Sequence, residues 1–204
     1  MDEKRLEILE RAVAVYMKYG IKSVTMDDLS QELGMSKKTI YKYFADKNDL
    51  IQSIIEMKVG MDKAICQNCV QQSENAIDEL INVSKIVVET VGNVNPTVFY
   101  DLQKYYKEAA SLFYEHKWGF VLSMIQNNIK RGIEEGVYRK NIDCAIISRL
   151  YVASTDQVMN TEIFPWPNFN VAKVFTEMIH FHIRGMASDK GIHYLKQKMN
   201  NEQF

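Results

Sequence analysis

The sequence predicts an all-α fold. Apolar residues recur at three- and four-residue spacing along most of the chain. No long segment combines the Val/Ile/Thr alternation of strands with the paired turn signals of hairpins. Pro occurs only three times in 204 residues. We expect a small three-helix domain over residues 1–50 and a larger helical domain over 51–204, joined by a helix that both share.

The first two helices have clear boundaries. The first is predicted over about 3–19, with Gly20 as its stop. The second begins after Thr25, whose hydroxyl can cap it, and ends at Gly34. The first helix carries an apolar stripe at helical spacing, formed by Leu6, Leu9, Val13, Tyr16 and Met17.

The third helix is predicted over Ser36–Phe44, with the Ser36 hydroxyl as its cap. Ile40 and Phe44 are four residues apart, so both should face the interior. Lys38 and Lys42 have the same spacing and should face outward. Two short helices joined by a tight turn form a helix-turn-helix, the arrangement that places a helix in the DNA major groove.

Longer helices account for the rest of the chain. Asp46 should cap a fourth helix that runs to about Cys69. Residues 93–96 and 165–167 contain all three prolines and are predicted loops. The other helices are predicted over about 75–92, 96–107, 110–135, 143–160, 170–187 and 190–199.

Overall charge does not mark a nucleic-acid binder, because the net charge is −1. Residues 36–47, however, hold four Lys and one Asp. Such a patch suffices for phosphate contacts, although a lysine run is more often only a solvated surface. We find no signal-peptide core and no apolar run of membrane-spanning length, so we expect a cytoplasmic protein without membrane contact.

The stretch from Ile8 to Leu50 resembles the DNA-binding domain of the tetracycline-repressor (TetR) family of bacterial regulators. The matching features are an aromatic–Gly pair, a Thr, a Gly-apolar-Ser turn, a Thr-apolar-Tyr-x-Tyr-Phe run and a Lys. Ser30, Leu33 and Lys38 depart from residues that are common in the family, which leaves the operator sequence unpredictable.

This resemblance implies a recognition helix at Ser36–Phe44 that binds double-stranded operator DNA. We expect Lys38, Tyr41 and Lys42 to read bases. We expect phosphates to be held by Thr25, Thr39, Tyr43 and Lys47. The full set of DNA-contacting candidates is Thr25, Lys37, Lys38, Thr39, Tyr41, Lys42, Tyr43 and Lys47.

The resemblance also implies a homodimer, formed by the helices predicted at 143–160 and 170–187. Residues 170–187 carry two apolar stripes, as expected for contact on two sides. The alternative is a helix buried within its own monomer. A two-fold dimer would bind a palindromic operator.

Aromatic and Met residues are frequent between residues 95 and 185. They could line a pocket for a small, largely apolar effector of unknown identity, although such residues more often form plain core. The candidates for this pocket are Phe99, Tyr105, Phe113, Trp118, Met124 and Tyr151.

Other functional classes are less favoured. Cys66 and Cys69 form a C-x-x-C that lacks further zinc ligands, so a redox-sensing regulator is one alternative. A helical small-molecule-binding protein without DNA binding is another. We see no catalytic motif and expect no enzyme activity, cofactor or metal. The leading interpretation is a ligand-responsive transcriptional regulator, with repression favoured over activation.

Overall fold

The computed structural model of the protein describes residues 2–92, 94–95, 97–165 and 167–201. Asn93, Pro96 and Trp166, which belong to the two predicted loops, lie outside them. The described residues form an all-α fold, as predicted, with a single isolated β-bridge between Tyr138 and Ala187 and no strand. The helices are α1 Glu3–Tyr19, α2 Met26–Leu33, α3 Lys37–Tyr41, α4 Lys47–Gln72, α5 Ala76–Val91, α6 Thr97–Tyr105, α7 Lys107–Glu115, a π-helical turn His116–Val121, α8 Leu122–Glu134, α9 Cys144–Val158, α10 Val171–Met186 and α11 Asp189–Asn201.

The predicted caps at the first three helices are confirmed. Gly20 and Gly34 have φ angles of 85° and 63° and end α1 and α2. The Thr25 hydroxyl accepts a hydrogen bond from the Asp28 N–H at 3.1 Å. The Ser36 hydroxyl does the same for the Thr39 N–H, also at 3.1 Å. Each cap satisfies a backbone donor that the helix leaves free.

Two predicted boundaries are wrong. The third helix ends at Tyr41 and not at Phe44, because the Tyr43 N–H bonds to Ile40 O three residues back and the chain tightens into a turn. The helix predicted over 110–135 is divided into α7, the π-helical turn and α8.

The chain forms two compact units. The head unit comprises the described residues of 1–62 and 93–116, and the body unit those of 63–92 and 117–204. Helix α4 begins in the head unit and ends in the body unit. The boundary at residue 50 that the sequence suggests for the DNA-binding domain remains a prediction. In the structure, α6 and α7 pack with the head unit.

Each unit has its own apolar core. In the head unit, buried residues of α1, α2, α3 and α4 pack with Val98, Leu102 and Ala109 from α6 and α7. In the body unit, buried residues of α5, α8, α9, α10 and α11 pack together around Ile125, Ile129 and Ile183. A smaller cluster holds Cys66, Cys69 and Val83.

Candidate functional site

The α2–α3 pair is fixed to the head unit by residues that face inward. Ile40 is 0% exposed and Phe44 is 1% exposed, as predicted, and both share a core with Leu33. The Arg5 guanidinium lies 5.1 Å from the centre of the Phe44 ring and covers it from outside. The orientation of α3 is therefore set by apolar packing, which leaves its polar residues free for a partner.

The outer surface of α3 presents cationic and aromatic side chains. Lys38, Tyr41 and Lys42 are exposed, as predicted, and Tyr41 is 48% exposed. Lys37 is also exposed and forms an ion pair with Asp27 of α2. The Lys42 ammonium lies 5.5 Å from the centre of the half-buried Tyr43 ring. This surface can offer charge, hydrogen-bond donors and an aromatic ring to a nucleic acid.

The hydroxyl groups of Thr25 and Thr39 already have partners within the head unit. Thr25 forms a capping box with Asp28, whose carboxylate accepts from the Thr25 N–H at 2.8 Å and from its hydroxyl at 2.6 Å. These hydrogen bonds hold the pKa of Asp28 below its usual value. The Thr39 hydroxyl lies 2.8 Å from that of Ser36. Both threonines stand at helix N-termini, where backbone N–H groups favour anions.

Lys47 differs most from its predicted role. Its ammonium points inward and donates to Ile21 O and Val24 O, each at 2.6 Å. It also lies 5.6 Å from the Tyr16 ring and 5.8 Å from the Tyr106 ring. Partial burial lowers the pKa of Lys47, and the Asp101 and Asp28 carboxylates oppose that shift. The side chain thus joins α4 to the α1–α2 turn, so its ammonium is not directed toward a phosphate.

The N-terminus of α6 packs against the same turn, a contact that the sequence did not reveal. The buried Asp101 carboxylate accepts from the Lys22 N–H at 2.8 Å. The Asn95 N–H donates to Met17 O at 2.7 Å. The Lys22 ammonium binds the Tyr105 hydroxyl at 2.8 Å. Because these partners are about 80 residues apart in the chain, no local pattern predicts them.

The six predicted pocket residues are divided between the two units. Phe99 and Phe113 lie in the head unit, with ring centres 6.2 Å apart, and Tyr105 is a surface residue of that unit. The Tyr105 hydroxyl accepts the hydrogen bond from Lys22, and its pocket role remains a prediction. Trp118 and Met124 pack on the core of the body unit, in which Tyr151 is buried.

A buried imidazole nitrogen of the body unit has no hydrogen-bond partner among the residues that the structure describes. It is His182 Nε2, and its ring centre lies 4.7 Å from that of Tyr151. Burial lowers the pKa of His182 to about 4, so the ring is neutral at pH 7. Neutral imidazole can donate or accept one hydrogen bond through this atom.

The C-x-x-C motif does not have the surroundings of a redox site. Cys66 and Cys69 are both buried. Burial, with the neighbouring Glu79, raises the pKa of the Cys69 thiol. Since the thiolate is the reactive form, both effects oppose oxidation. The described residues also contain no cluster of His, Cys, Asp and Glu that could hold a metal ion.

Exposed apolar side chains are found on α9 and α10. Ile146 and Leu150, four residues apart on α9, are each 56% exposed, and Phe181 on α10 is 82% exposed. Phe181 belongs to neither apolar stripe predicted over 170–187. The buried members of those stripes, among them Phe175, Ile179 and Ile183, pack within the body unit itself.

A family comparison matches the helix-turn-helix segment. Residues 8–54 fit the model of the bacterial regulatory proteins of the tetR family. These residues contain the cap at Thr25, the Gly34 turn and all of α3. The chain belongs to the TetR family. It is a transcriptional regulator, and the matched residues include the whole of the α2–α3 pair.

Similarity to other transcriptional regulators extends beyond this segment. The uncharacterized HTH-type transcriptional regulator YvaF of Bacillus subtilis is 24% identical over 172 residues, which cover 82% of this chain and 88% of YvaF. FadR of Bacillus subtilis, solved with stearoyl-CoA, has a TM-score of 0.68 at 18% identity and covers 89% of this chain and 98% of its own. A putative transcriptional regulator from Saccharomonospora viridis, solved with choline, has a TM-score of 0.76 at 18% identity. The similarity covers 92% of this chain and 100% of that regulator.

The TetR-family fold therefore includes both units. No helix within the described ranges is long and apolar enough to cross a membrane.

Proposed function

We propose that the protein is a dimeric repressor that binds a palindromic operator through α3 and is released by a small, largely apolar ligand of the body unit. DNA binding is supported most directly by the difference between the two surfaces of α3. Ile40 is buried in the head core, whereas Lys38, Tyr41 and Lys42 are exposed together. A helix fixed in this way can enter a major groove without rearrangement.

We assign base contacts to Lys38, Tyr41 and Lys42 because they lie on the outer surface of α3. Phosphate contacts are assigned to Thr25, Lys37, Thr39 and Tyr43, which lie at the helix N-termini and at the edge of that surface. The Lys37–Asp27 pair does not oppose this role, because both side chains are more than half exposed and such pairs contribute little. For Lys47 we propose a positioning role, with any phosphate contact made by the backbone at the start of α4.

The dimer is proposed to form through α9 and α10. A second copy of the chain would cover Ile146, Leu150 and Phe181, which otherwise expose apolar area to water. A two-fold axis through such an interface would present two α3 helices to successive major grooves, which explains the expected palindrome.

Repression and ligand release are supported by relatives of known designation. KstR2 of Mycobacterium tuberculosis, 21% identical over 156 residues, is an HTH-type transcriptional repressor. The solved structures with stearoyl-CoA and choline show that similar folds accept small molecules. In this chain the ligand would bias the body unit toward a state in which the two heads no longer match the operator spacing.

The first experiment measures binding of the full chain to the DNA that flanks its own gene, by fluorescence anisotropy at several salt concentrations. Lys37→Ala removes a proposed phosphate contact, so it should weaken binding and reduce the slope of log K against log salt by about 0.9. Lys130→Ala, which removes an exposed lysine of the body unit, is the matched control and should change neither quantity. A wild-type chain that binds this DNA no better than random DNA would favour the helical small-molecule binder instead.

The Lys47→Met variant distinguishes a positioning role of the Lys47 ammonium from a direct contact with a phosphate. The variant should lower the stability of the head unit, because two carbonyl groups lose their donor. At temperatures where it remains folded, its salt slope should equal that of the wild type. A reduced slope would restore the phosphate role to the Lys47 ammonium.

The dimer is tested by Leu150→Asp, with light scattering after size-exclusion chromatography as the measurement. The variant should elute as a monomer and lose operator binding, because a charge cannot be buried in an apolar interface. Val70→Asp, at another exposed apolar position, should leave the dimer intact. A dimer that survives Leu150→Asp would place the interface elsewhere.

A further inference from the structure

The body unit contains a lysine that apolar packing does not explain. Lys117 lies in the π-helical turn between α7 and α8 and is only 7% exposed. Burying an ammonium is unfavourable unless it is paired and hydrogen-bonded. π-Helical turns are rare and are often found at functional sites. Lys117 is thus a buried charge on an irregular backbone segment, which makes it a candidate for ligand contact.

The partners of Lys117 within the unit leave it incompletely satisfied. Its ammonium forms an ion pair with Asp156 of α9 and lies 5.7 Å from the centre of the Trp118 ring. An ammonium has three N–H donors, and Lys117 Nζ has no hydrogen bond of good geometry among the described residues. The Asp156 side chain is 53% exposed and therefore well hydrated. A hydrated carboxylate can be exchanged for another acid at small cost.

A second buried polar atom lies in the core on which Trp118 packs. Tyr151 belongs to this core, and its ring centre lies 4.7 Å from that of His182, with the two ring planes tilted by 60°. The Nε2 atom of His182 has no partner among the described residues. This atom can donate to or accept from a ligand. The core that contains Tyr151 and on which Trp118 packs is formed by residues of α5, α8, α9, α10 and α11.

We propose that the effector of the body unit is an amphipathic anion, whose acid group pairs with Lys117 in place of Asp156 and whose apolar part packs near Trp118. This inference rests on the proposed function and narrows its ligand class. The similar structures do not settle the charge, since stearoyl-CoA carries phosphates and choline is a cation. The residues of this chain favour the anion, because the ammonium is the buried member of the pair and the carboxylate is the hydrated one.

The test uses three probes of equal chain length, decanoate, 1-decanol and decylammonium, each below its micelle concentration at neutral pH. Binding is followed by tryptophan fluorescence in a Trp166→Phe background, in which Trp118 is the remaining tryptophan of the chain. Decanoate should bind at least about tenfold more tightly than decanol, the difference expected for a charge-assisted hydrogen bond. Tighter binding of decylammonium, or no binding by any probe, would overturn the proposal.

Two variants locate the acid group. Lys117→Met keeps the length of the side chain and should lower decanoate affinity about tenfold or more, with decanol affinity unchanged. Asp156→Asn removes the competing carboxylate and should keep or raise decanoate affinity. Circular dichroism establishes that each variant is folded, and Lys117→Arg retains the charge should Lys117→Met unfold. An equal loss in Asp156→Asn and Lys117→Met would assign the pair to folding and overturn the proposal.

Operator binding without probe is measured on the same samples. A wild-type chain that binds the operator but not decanoate would refute the ligand class while leaving the proposed regulator in place. A chain that binds decanoate through Lys117 but binds no operator would refute the regulator and retain the anion site. The two failures are therefore distinguishable.

Discussion

The Asp101 carboxylate accepts a hydrogen bond from the backbone N–H of Lys22 at 2.8 Å. This contact ties the middle of α6 to the turn that precedes Thr25, the cap of α2. The same turn provides the two carbonyl groups that hold the Lys47 ammonium. The turn that leads into the α2–α3 pair is therefore held by both α4 and α6, within one compact unit.

Asp101→Ala should lower the free energy of unfolding by about 1–3 kcal/mol, because it leaves a partly buried backbone donor without its acceptor. Asp101→Asn keeps an acceptor oxygen at nearly the same place and should recover most of the loss. Urea unfolding followed by circular dichroism measures both. Equal midpoints for Asp101→Ala and the wild type would show that the carboxylate does not hold the turn.

Gly20→Ala should destabilise the head unit by about 1–3 kcal/mol, since a side chain at φ 85° is strained. The added Cβ would also stand 2.7 Å from Thr97 Oγ1 of α6. Gly60→Ala is the matched control, because Gly60 lies within α4 and its Cβ would meet nothing within 4 Å. That variant should gain about 0.5–1 kcal/mol from the higher helix propensity of Ala. Thermal unfolding measures both variants, and melting temperatures that shift in the same direction would contradict this expectation.

Local signals were sufficient for most of the fold. The caps at Thr25 and Ser36 and the stops at Gly20 and Gly34 depend on neighbouring residues, so the sequence could predict them. The inward orientation of Ile40 followed from helical spacing for the same reason.

Contacts between distant residues could not be predicted in this way. The Lys22–Asp101 bond joins residues 79 positions apart, and the inward direction of Lys47 depends on two carbonyl groups of another turn. Phe181 was missed because it lies outside both apolar stripes predicted over 170–187, and only the structure shows that its side chain is 82% exposed. The base and phosphate contacts assigned to α3 remain predictions.

Arg131→Met should destabilise the body unit by about 3–5 kcal/mol. The Arg131 guanidinium binds the buried Glu79 carboxylate at 3.0 Å and that of Glu135 at 2.6 Å. Burial already raises the pKa of Glu79 in spite of the Arg131 cation. Loss of that cation would therefore leave the Glu79 carboxylate buried with too little compensation for its charge. Lys4→Met breaks the exposed Lys4–Glu7 pair and should change the free energy of unfolding by at most about 1 kcal/mol. A comparable effect of both substitutions in urea unfolding would argue against the importance of burial.

Acid should destabilise the body unit through His182. Burial lowers the pKa of His182 from 6.5 to about 4, so the unfolded chain takes up its proton at a higher pH than the folded chain does. The contribution of the neutral ring is present above pH 6.5 and is lost as the pH falls toward 4. The shift corresponds to an upper limit of about 3 kcal/mol.

His182→Phe keeps an aromatic ring against Tyr151 and removes this titration. Between pH 7 and pH 4.5 the wild type should therefore lose up to about 3 kcal/mol more of its free energy of unfolding than the variant does. His193→Gln, at an exposed position of α11, should follow the wild type across this range. Urea unfolding at half-unit pH intervals measures all three chains, and parallel curves for His182→Phe and the wild type would mean that His182 is not buried as a neutral group.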